Sequence, residues 1–308
     1  MPRVIDLAEV YPDAPACSLG ACSLDECADA LAAHSFDPLD EESLMHGALW
    51  LGRLGSNADF LGDVLTRNLA NRHRAEPDGQ SYGPQSIVLS PHRGDCFLRA
   101  NVWPGNSDYL LAASGVSPFL YDMPHDHNFH FLTYGYFGPG YESDYYEYDY
   151  DAVAGWQGEA VDLRFTGRQR LSPGKLMLYR AHRDVHRQLP AQSLSVSLNI
   201  MHTNPAMGWL DQYRFDADRG ELGGVISHGS SDAFLRIAVA LGGDESVDLA
   251  WTFAHNHPSD RMRLTAFDAL AGNCADNDAR DALWFSAEQA GSLMVAMTAK
   301  QRRAALVG

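Results

Sequence analysis

The chain has no run approaching the roughly 18 apolar residues that a membrane-spanning helix needs. Its first residues, MPRVIDLAEVYPDAPA, lack a basic start followed by an apolar core, so no signal peptide is expected and the cytoplasm is the expected compartment. Basic residues are scarce: 23 Lys+Arg stand against 40 Asp+Glu, a formal net charge of −17. A nucleic-acid binder needs a basic face to neutralise phosphates, and an anionic membrane asks the same, so neither is an expected partner. Cysteine is sparse too, five in 308 residues. The five-residue spacing of Cys17, Cys22 and Cys27 is not a CxxC motif, and with Cys96 and Cys274 isolated the odd total fits free thiols better than a disulfide framework.

What is present is an ordinary globular composition, 45% hydrophobic and 20% charged. The length suits one large domain or one domain with helical additions. Residues 1–85 read as helical. Ser23 and Glu26 have capping-box spacing, Asp37-Pro38 places a cap before a proline at a first helical position, and Leu61, Val64, Leu65 and Leu69 recur with helical period. The breaker-rich stretch from Pro77 to Pro84 reads as a linker. Between 86 and 205 the pattern changes to short β-branched and aromatic runs separated by turns: SIVLS, CFLRANVW, DYLLAAS, PFLYDM, FHFLTYGYF, YESDYYEYDY, EAVDLRF, KLMLY and SLSVSLNIM, with Gly138-Pro139-Gly140 as one of the turns. Such runs without intervening helices predict an antiparallel sandwich or barrel. Residues 206–308 read as a helical segment, with FLRIAVAL, VDLAWTFAH, RMRLTAFDAL and a long stretch from Asp276 as amphipathic helices. Pro258 stands where the third of these could begin.

Six of the 13 histidines fall between 125 and 202. Their centre is Met123-Pro124-His125-Asp126-His127-Asn128-Phe129-His130. On a strand, residues two apart share a face, so His125 and His127 can present two imidazoles to one point. A third ligand must come from elsewhere, and His186 is the best candidate. His130 has the wrong parity to join the pair unless a bulge intervenes, which favours a place beside the site. His182 could join only through a helical turn. His202 and the second HxH, His255-Asn256-His257, read as structural.

On these residues the sequence resembles the cupin superfamily, whose members carry an HxH pair on a small barrel and a later glycine-containing strand-turn-strand that supplies another histidine. His125, His127, Gly174 and His186 match those positions. The customary glutamate a few residues after the pair is absent, Phe131 and Leu132 standing there, so the resemblance implies three-histidine ligation. Among cupins the chain looks most like the cysteine (thiol) dioxygenase group: His125-Asp126-His127, then His130, then His186-Arg187, then the strand from Ser197 that leads to Pro205. Arg99 lies where that group places an arginine for the substrate carboxylate. The resemblance covers about residues 95–205. It implies an α+β protein, a cupin (jelly-roll) β-barrel with N- and C-terminal helical extensions, with His125, His127 and His186 on a metal and His130 and Arg99 in catalytic roles. It departs from that group at Asn199 and Met201, where those enzymes carry a histidine and a tyrosine, and at Phe131 in place of the cross-linking cysteine. The departures touch the substrate side and not the metal ligands.

Three neutral imidazoles leave a divalent ion its full charge and open positions for a bidentate substrate and dioxygen. Imidazole suits Fe, Zn, Ni and Cu, and Mn is a further option; oxygen chemistry makes Fe(II) the first choice. The expected function is therefore a mononuclear iron(II) oxygenase or dioxygenase on a small carboxylate-bearing metabolite, an amino acid or thiol among them, with dioxygen as co-substrate. A metal-dependent isomerase, lyase or hydrolase, and a non-catalytic metabolite-binding cupin, are the alternatives. A homo-oligomer is a further expectation, because open barrel edges invite pairing.

One more pattern stands out. The acidic run Glu142, Asp144, Glu147, Asp149 and Asp151 is followed by Arg164, Arg168, Arg170, Lys175, Arg180, Arg183 and Arg187. Cross-strand ion pairs, each contributing about 0.2–1 kcal/mol, are the plain reading. The functional one gives one or two of these arginines to a substrate carboxylate.

Overall fold

A computed structural model describes residues 1–10, 20–71 and 85–307. Cys17 and the Pro77–Pro84 stretch lie outside the described residues. The chain divides into two compact units, Met1–Tyr148 with Arg164–Pro205, and Asp149–Leu163 with Ala206–Gly308.

The first unit runs β1 (Arg3–Ile5), α1 (Leu7–Val10), α2 (Leu24–His34), α3 (Glu41–Gly55), α4 (Phe60–Asn71), β2 (Ser86–Val88), β3 (Cys96–Trp103), α5 (Tyr109–Ser114), β4 (Phe131–Phe137), β5 (Tyr141–Glu147), β6 (Arg164–Leu171), β7 (Leu176–Tyr179), β8 (Asp184–Gln188) and β9 (Ser195–His202). Two antiparallel sheets result, six strands in the order β1-β7-β4-β9-β3-β2 and three in the order β6-β5-β8. Neither closes on itself, so the expected closed barrel is corrected to two open sheets. Each sheet keeps its own edge strands, and the backbone pairing that closure requires is absent among the described residues.

Strand alternation assigns the faces of the larger sheet. Leu98, Ala100, Leu132, Leu178, Leu198 and Ile200 join one core with Leu31, Leu44, Leu51 and Leu54 of α2 and α3, so helices cover this face. The intervening residues Trp103, Phe131, Met177, Tyr179 and Met201 share a second core with Tyr141, Tyr145 and Leu171 of the smaller sheet. Arg99, Thr133 and Asn199 follow the parity of Phe97, Phe131 and Met201 and therefore line the same interior.

Local signals were honoured unevenly. Ser23 and Glu26 form the capping box of α2. The cap of α3 is Asp40, whose side chain accepts from Ser43 N–H, whereas Asp37 and Pro38 lie before the helix in the connecting segment. DYLLAAS, expected as a strand, is α5: Asp108 caps it by accepting from Leu110 N–H, and Leu-Leu-Ala-Ala favours helix. PFLYDM forms no strand: it contributes to a 3-10 turn at Ser117–Phe119 and an isolated bridge from Tyr121 to Gln188. The strand from EAVDLRF begins only at Arg164. Gly174 has φ +83° in the Pro173-Gly174 turn between β6 and β7, a conformation that glycine adopts without strain.

The second unit holds β10 (Tyr213–Asp216), β11 (Glu221–Val225), α6 (Ser230–Leu241), α7 (Asp244–Asn256), α8 (Asp260–Gly272), α9 (Asn277–Ala287) and α10 (Leu293–Val307). The hairpin β10–β11 falls inside the 206–308 segment that the sequence assigns to helices, ahead of the first helical run. Asp211 and Asp232 pair with Arg261, at 2.7 and 2.5 Å, beside an apolar core that includes Leu235, Phe267 and Trp284. The long stretch from Asp276 is two helices, and α8 is capped by Ser259, one residue after Pro258. Among the described residues no helix is long and apolar enough to cross a membrane.

Candidate metal centre

The segment carrying His125 and His127 precedes β4 and is not a regular strand, which corrects the expectation that the pair rides on one. Its register is set by β8 instead. His125 N–H donates to His186 O at 3.0 Å and His186 N–H to His125 O at 2.9 Å, an antiparallel bridge. Asp122 N–H donates to Gln188 O at 2.9 Å, and His182 N–H to His127 O at 2.8 Å. The segment thus covers the outer edge of β8, an edge otherwise open to pairing. His182 achieves its contact from a left-handed turn residue, φ +57°, between β7 and β8.

The bridge carries the chemistry. His127 Nε2 lies 3.0 Å from His186 Nε2, and His186 Nε2 lies 3.2 Å from His125 Nε2. One ligand nitrogen from each of the three falls within 4.8 Å of the others. With metal–nitrogen bonds of about 2.0–2.1 Å, ligands at 90–109° on one ion stand about 2.9–3.4 Å apart, a range that holds both the 3.0 and the 3.2 Å separations. His125 Nδ1 is 2.8 Å from Met123 O; donating there leaves its Nε2 with a lone pair that a metal ion could take. Burial, the largest cause, brings the His125 imidazole down to about 4 and holds His127 and His186 well below the usual range. All three are therefore neutral near pH 7, the form that ligates.

Around the imidazoles the walls are aromatic. The rings of Phe129 and Phe131 lie 4.8 and 4.9 Å from His127, Phe131 stacks on Tyr179 at 4.4 Å, and Tyr179 meets His186 edge-on at 4.9 Å. The Tyr145 and Tyr179 hydroxyls are 2.8 Å apart, and burial raises both phenols, Tyr145 to about 12. Arg99 sits on β3 opposite Asn199, close enough that its charge helps depress His127. Thr133 lies on the other side of Asn199, with its hydroxyl buried and lacking a hydrogen-bond partner.

His130 stands apart from the three-histidine group. Its Nδ1 accepts from Ala181 N–H at 3.3 Å, its ring lies 6.2 Å from that of His202, and burial with His202 and His182 nearby lowers it to about 4. Asp126 accepts from Tyr148 Oη at 2.6 Å. In the second HxH, His255 stacks on Trp251 and His257 packs on Phe253, so both have structural partners. The charged pattern resolves as cross-strand pairing between β5 and β6: Arg168 with Asp144 at 2.6 Å, Arg170 with Glu142 at 3.2 Å, Arg164 with Glu147 at 2.7 Å. Arg180 pairs with Asp184 and Glu147, Arg183 with Glu147, and Arg187 with Asp122. Sequence reasoning passed over Gln188 and Thr133. For Gln188 a signal existed: two residues after His186 on a strand, it shares that face.

No family model matches the chain, and no curated protein matches it. Among solved structures it is similar to a salicylate 1,2-dioxygenase from Pseudaminobacter salicylatoxidans (9% identity, 47% of this chain and 33% of that one, TM-score 0.26). It is also similar to hydroquinone 1,2-dioxygenase PnpCD in complex with Cd2+ and 4-hydroxybenzonitrile (14% identity, 41% and 68%, TM-score 0.25). A third is DMSP lyase DddQ from Ruegeria pomeroyi DSS-3 (12% identity, 57% and 72%, TM-score 0.24). The chain thus spans about a third of the salicylate dioxygenase.

Proposed function

We propose that the protein is a cupin-type metal enzyme, a mononuclear iron(II) oxygenase or dioxygenase acting on a small carboxylate-bearing metabolite. The observation that carries it is the convergence of three neutral imidazoles, His125 and His186 buried and His127 half-buried, with Nε2 atoms 3.0 and 3.2 Å apart along the chain of contacts. His125, His127 and His186 hold the ion, and iron(II) there would supply the redox chemistry that dioxygen requires.

The chain's own residues do the rest. Arg99 offers a forked guanidinium to the substrate carboxylate, a geometry suited to a bidentate pair. Its place beside His127 puts that charge near the ion, and Thr133, two strands away on the same face, adds a hydroxyl to the same interior. Phe129, Phe131 and Tyr179 exclude water from the imidazoles, which strengthens electrostatic interactions within the site. His130 takes a supporting role: it accepts from the Ala181 amide beside the turn that leads into β8 and so steadies the approach to His186.

The test is metal analysis of the purified protein, followed by oxygen uptake after iron(II) loading over a panel of amino acids, thiols and other small carboxylates. Stoichiometric metal with uptake on at least one compound is expected. Oxygen-independent turnover with zinc would replace the oxygenase by a hydrolase, lyase or isomerase, and the absence of metal binding would end the proposal.

A further inference from the structure

Helix α6 is apolar on two sides. Its last eight residues, Phe234 to Leu241, hold one polar side chain, that of Arg236. A helix that is apolar all round is ordinarily buried all round. Only one side of α6 is: Leu235 and Val239 enter the core of the second unit, and Asp232 pairs there with Arg261. On the opposite side Phe234, Ile237 and Leu241 are 66%, 55% and 84% exposed. Their i, i+3, i+7 spacing puts them in one stripe along the helix. The exposed residues beside them, Ala233, Ala238 and Ala240, are small and leave room for another backbone to come close.

We propose that this stripe is the two-fold interface of a homodimer, α6 packing antiparallel on α6 of a second copy. Charge favours a second copy there. Acidic residues outnumber basic ones 40 to 23 in the chain, yet no exposed residue of α6 is acidic, its one carboxylate being the buried Asp232. Arg236 is the one exposed charge on the helix, and it lies close enough to Asp268 of α8 to oppose the rise that burial gives that carboxyl. Copies of a chain of net charge −17 repel each other, and on this face they meet without setting carboxylate against carboxylate. The spacing suits the symmetry. A two-fold interface brings one surface against itself, residue i meeting j and j meeting i. Phe234 and Leu241 stand equally far from the midpoint between Ile237 and Ala238. In an antiparallel pair Phe234 therefore meets Leu241 of the second copy at both ends, and the two Ile237 side chains meet beside the axis. The three side chains expose roughly 400 Å2 per copy, so the stripes alone hide roughly 800 Å2; that is below the ~1,200 Å2 of a standard interface and belongs to weak, reversible association.

Sedimentation velocity of the full chain tests this. The mass should rise from the 33.8 kDa of one chain toward twice that value between about 1 and 300 µM, the range in which an interface of this size associates. Leu241→Glu should raise the midpoint concentration at least about 10-fold, and Ile237→Glu, which sets two carboxylates beside the axis, should raise it further. Both side chains are exposed in the single chain, so circular dichroism and thermal unfolding at low concentration should stay as in the wild type. Leu249→Glu, at another exposed leucine on α7, should leave the midpoint where it is. Under oxidised glutathione, Ile237→Cys should cross-link two copies faster than Leu241→Cys, since the two copies of position 241 lie about 10 Å apart along an antiparallel pair. A wild type that keeps the mass of one chain throughout overturns the proposal and leaves the stripe to a different protein. A dimer that both glutamate variants preserve, or cross-linking no faster at Ile237→Cys than at Leu241→Cys, overturns the antiparallel α6 interface.

Discussion

Two groups of three histidines lie in the first unit, and they behave differently. His125, His127 and His186 direct their Nε2 atoms toward one point, with separations of 3.0 and 3.2 Å. His130, His182 and His202 are near enough to lower the His130 imidazole together with its burial, yet the His130 and His202 rings stand 6.2 Å apart and His130 spends a ring nitrogen on a backbone amide. Composition does not separate the two groups. The separation comes from the backbone bridge between His125 and His186, which brings two ring-bearing residues of distant segments face to face. Convergence of lone pairs on one point makes a metal site; proximity of rings does not.

The largest expected effect tests that contrast directly. Replacing His125, His127 or His186 singly with Ala should abolish stoichiometric metal binding, measured by elemental analysis, while His130→Ala and His202→Ala keep it. The fold should survive in each case, because the sheets around the three histidines are held by hydrophobic packing that a bound ion would not define. Retained metal in His186→Ala would break the comparison, since the second group would then have to supply a ligand. Next in size, Arg99→Ala should raise the substrate KM about 10–100-fold, the loss of a charged hydrogen bond of about 1.5–3 kcal/mol, with metal content unchanged. An unchanged KM would take Arg99 out of the substrate site.

The second group should declare itself through pH. An unfolded histidine titrates near 6.5, whereas His130 in the folded protein is lowered to about 4. Below pH 6.5 the unfolded chain takes up a proton that the native state refuses until about 4, so His130's contribution is full above 6.5 and is lost as pH falls through that window. Thermal unfolding between pH 7 and 4.5 should therefore show a steeper decline for the wild type than for His130→Gln, and equal slopes would contradict the assignment. The smallest effect is expected at Arg187, whose half-exposed pair with Asp122 spans 3.2 Å at the edge of the histidine segment. Arg187→Ala should cost about 0–1 kcal/mol in denaturant titration, less at high salt, with metal affinity unaltered.

Much of this was written locally. The Ser23–Glu26 box, the strand runs around Leu98, Leu132 and Leu198, and the opposition of Glu142, Asp144 and Glu147 to Arg170, Arg168 and Arg164 all follow from near-neighbour preferences or from hairpin register. The misread Asp108–Ser114 run shows the limit of that language, because a capping aspartate and helix-forming residues outweighed an apolar run of strand length. The β10–β11 hairpin went unseen because it is short and lies beside strongly helical segments.

The sequence by itself determined that His125 and His127 could share a target and that a distant histidine would have to complete it, since residue type and spacing carry those facts. Only the tertiary structure decided that His186 of β8 stands beside the pair, that Gln188 comes with it, that the walls are aromatic, and that the two sheets remain open. The reason is physical: alternation along a chain is set by bond geometry within a few residues, whereas the meeting of His125 with His186, 61 positions apart, depends on which backbone edge finds which partner.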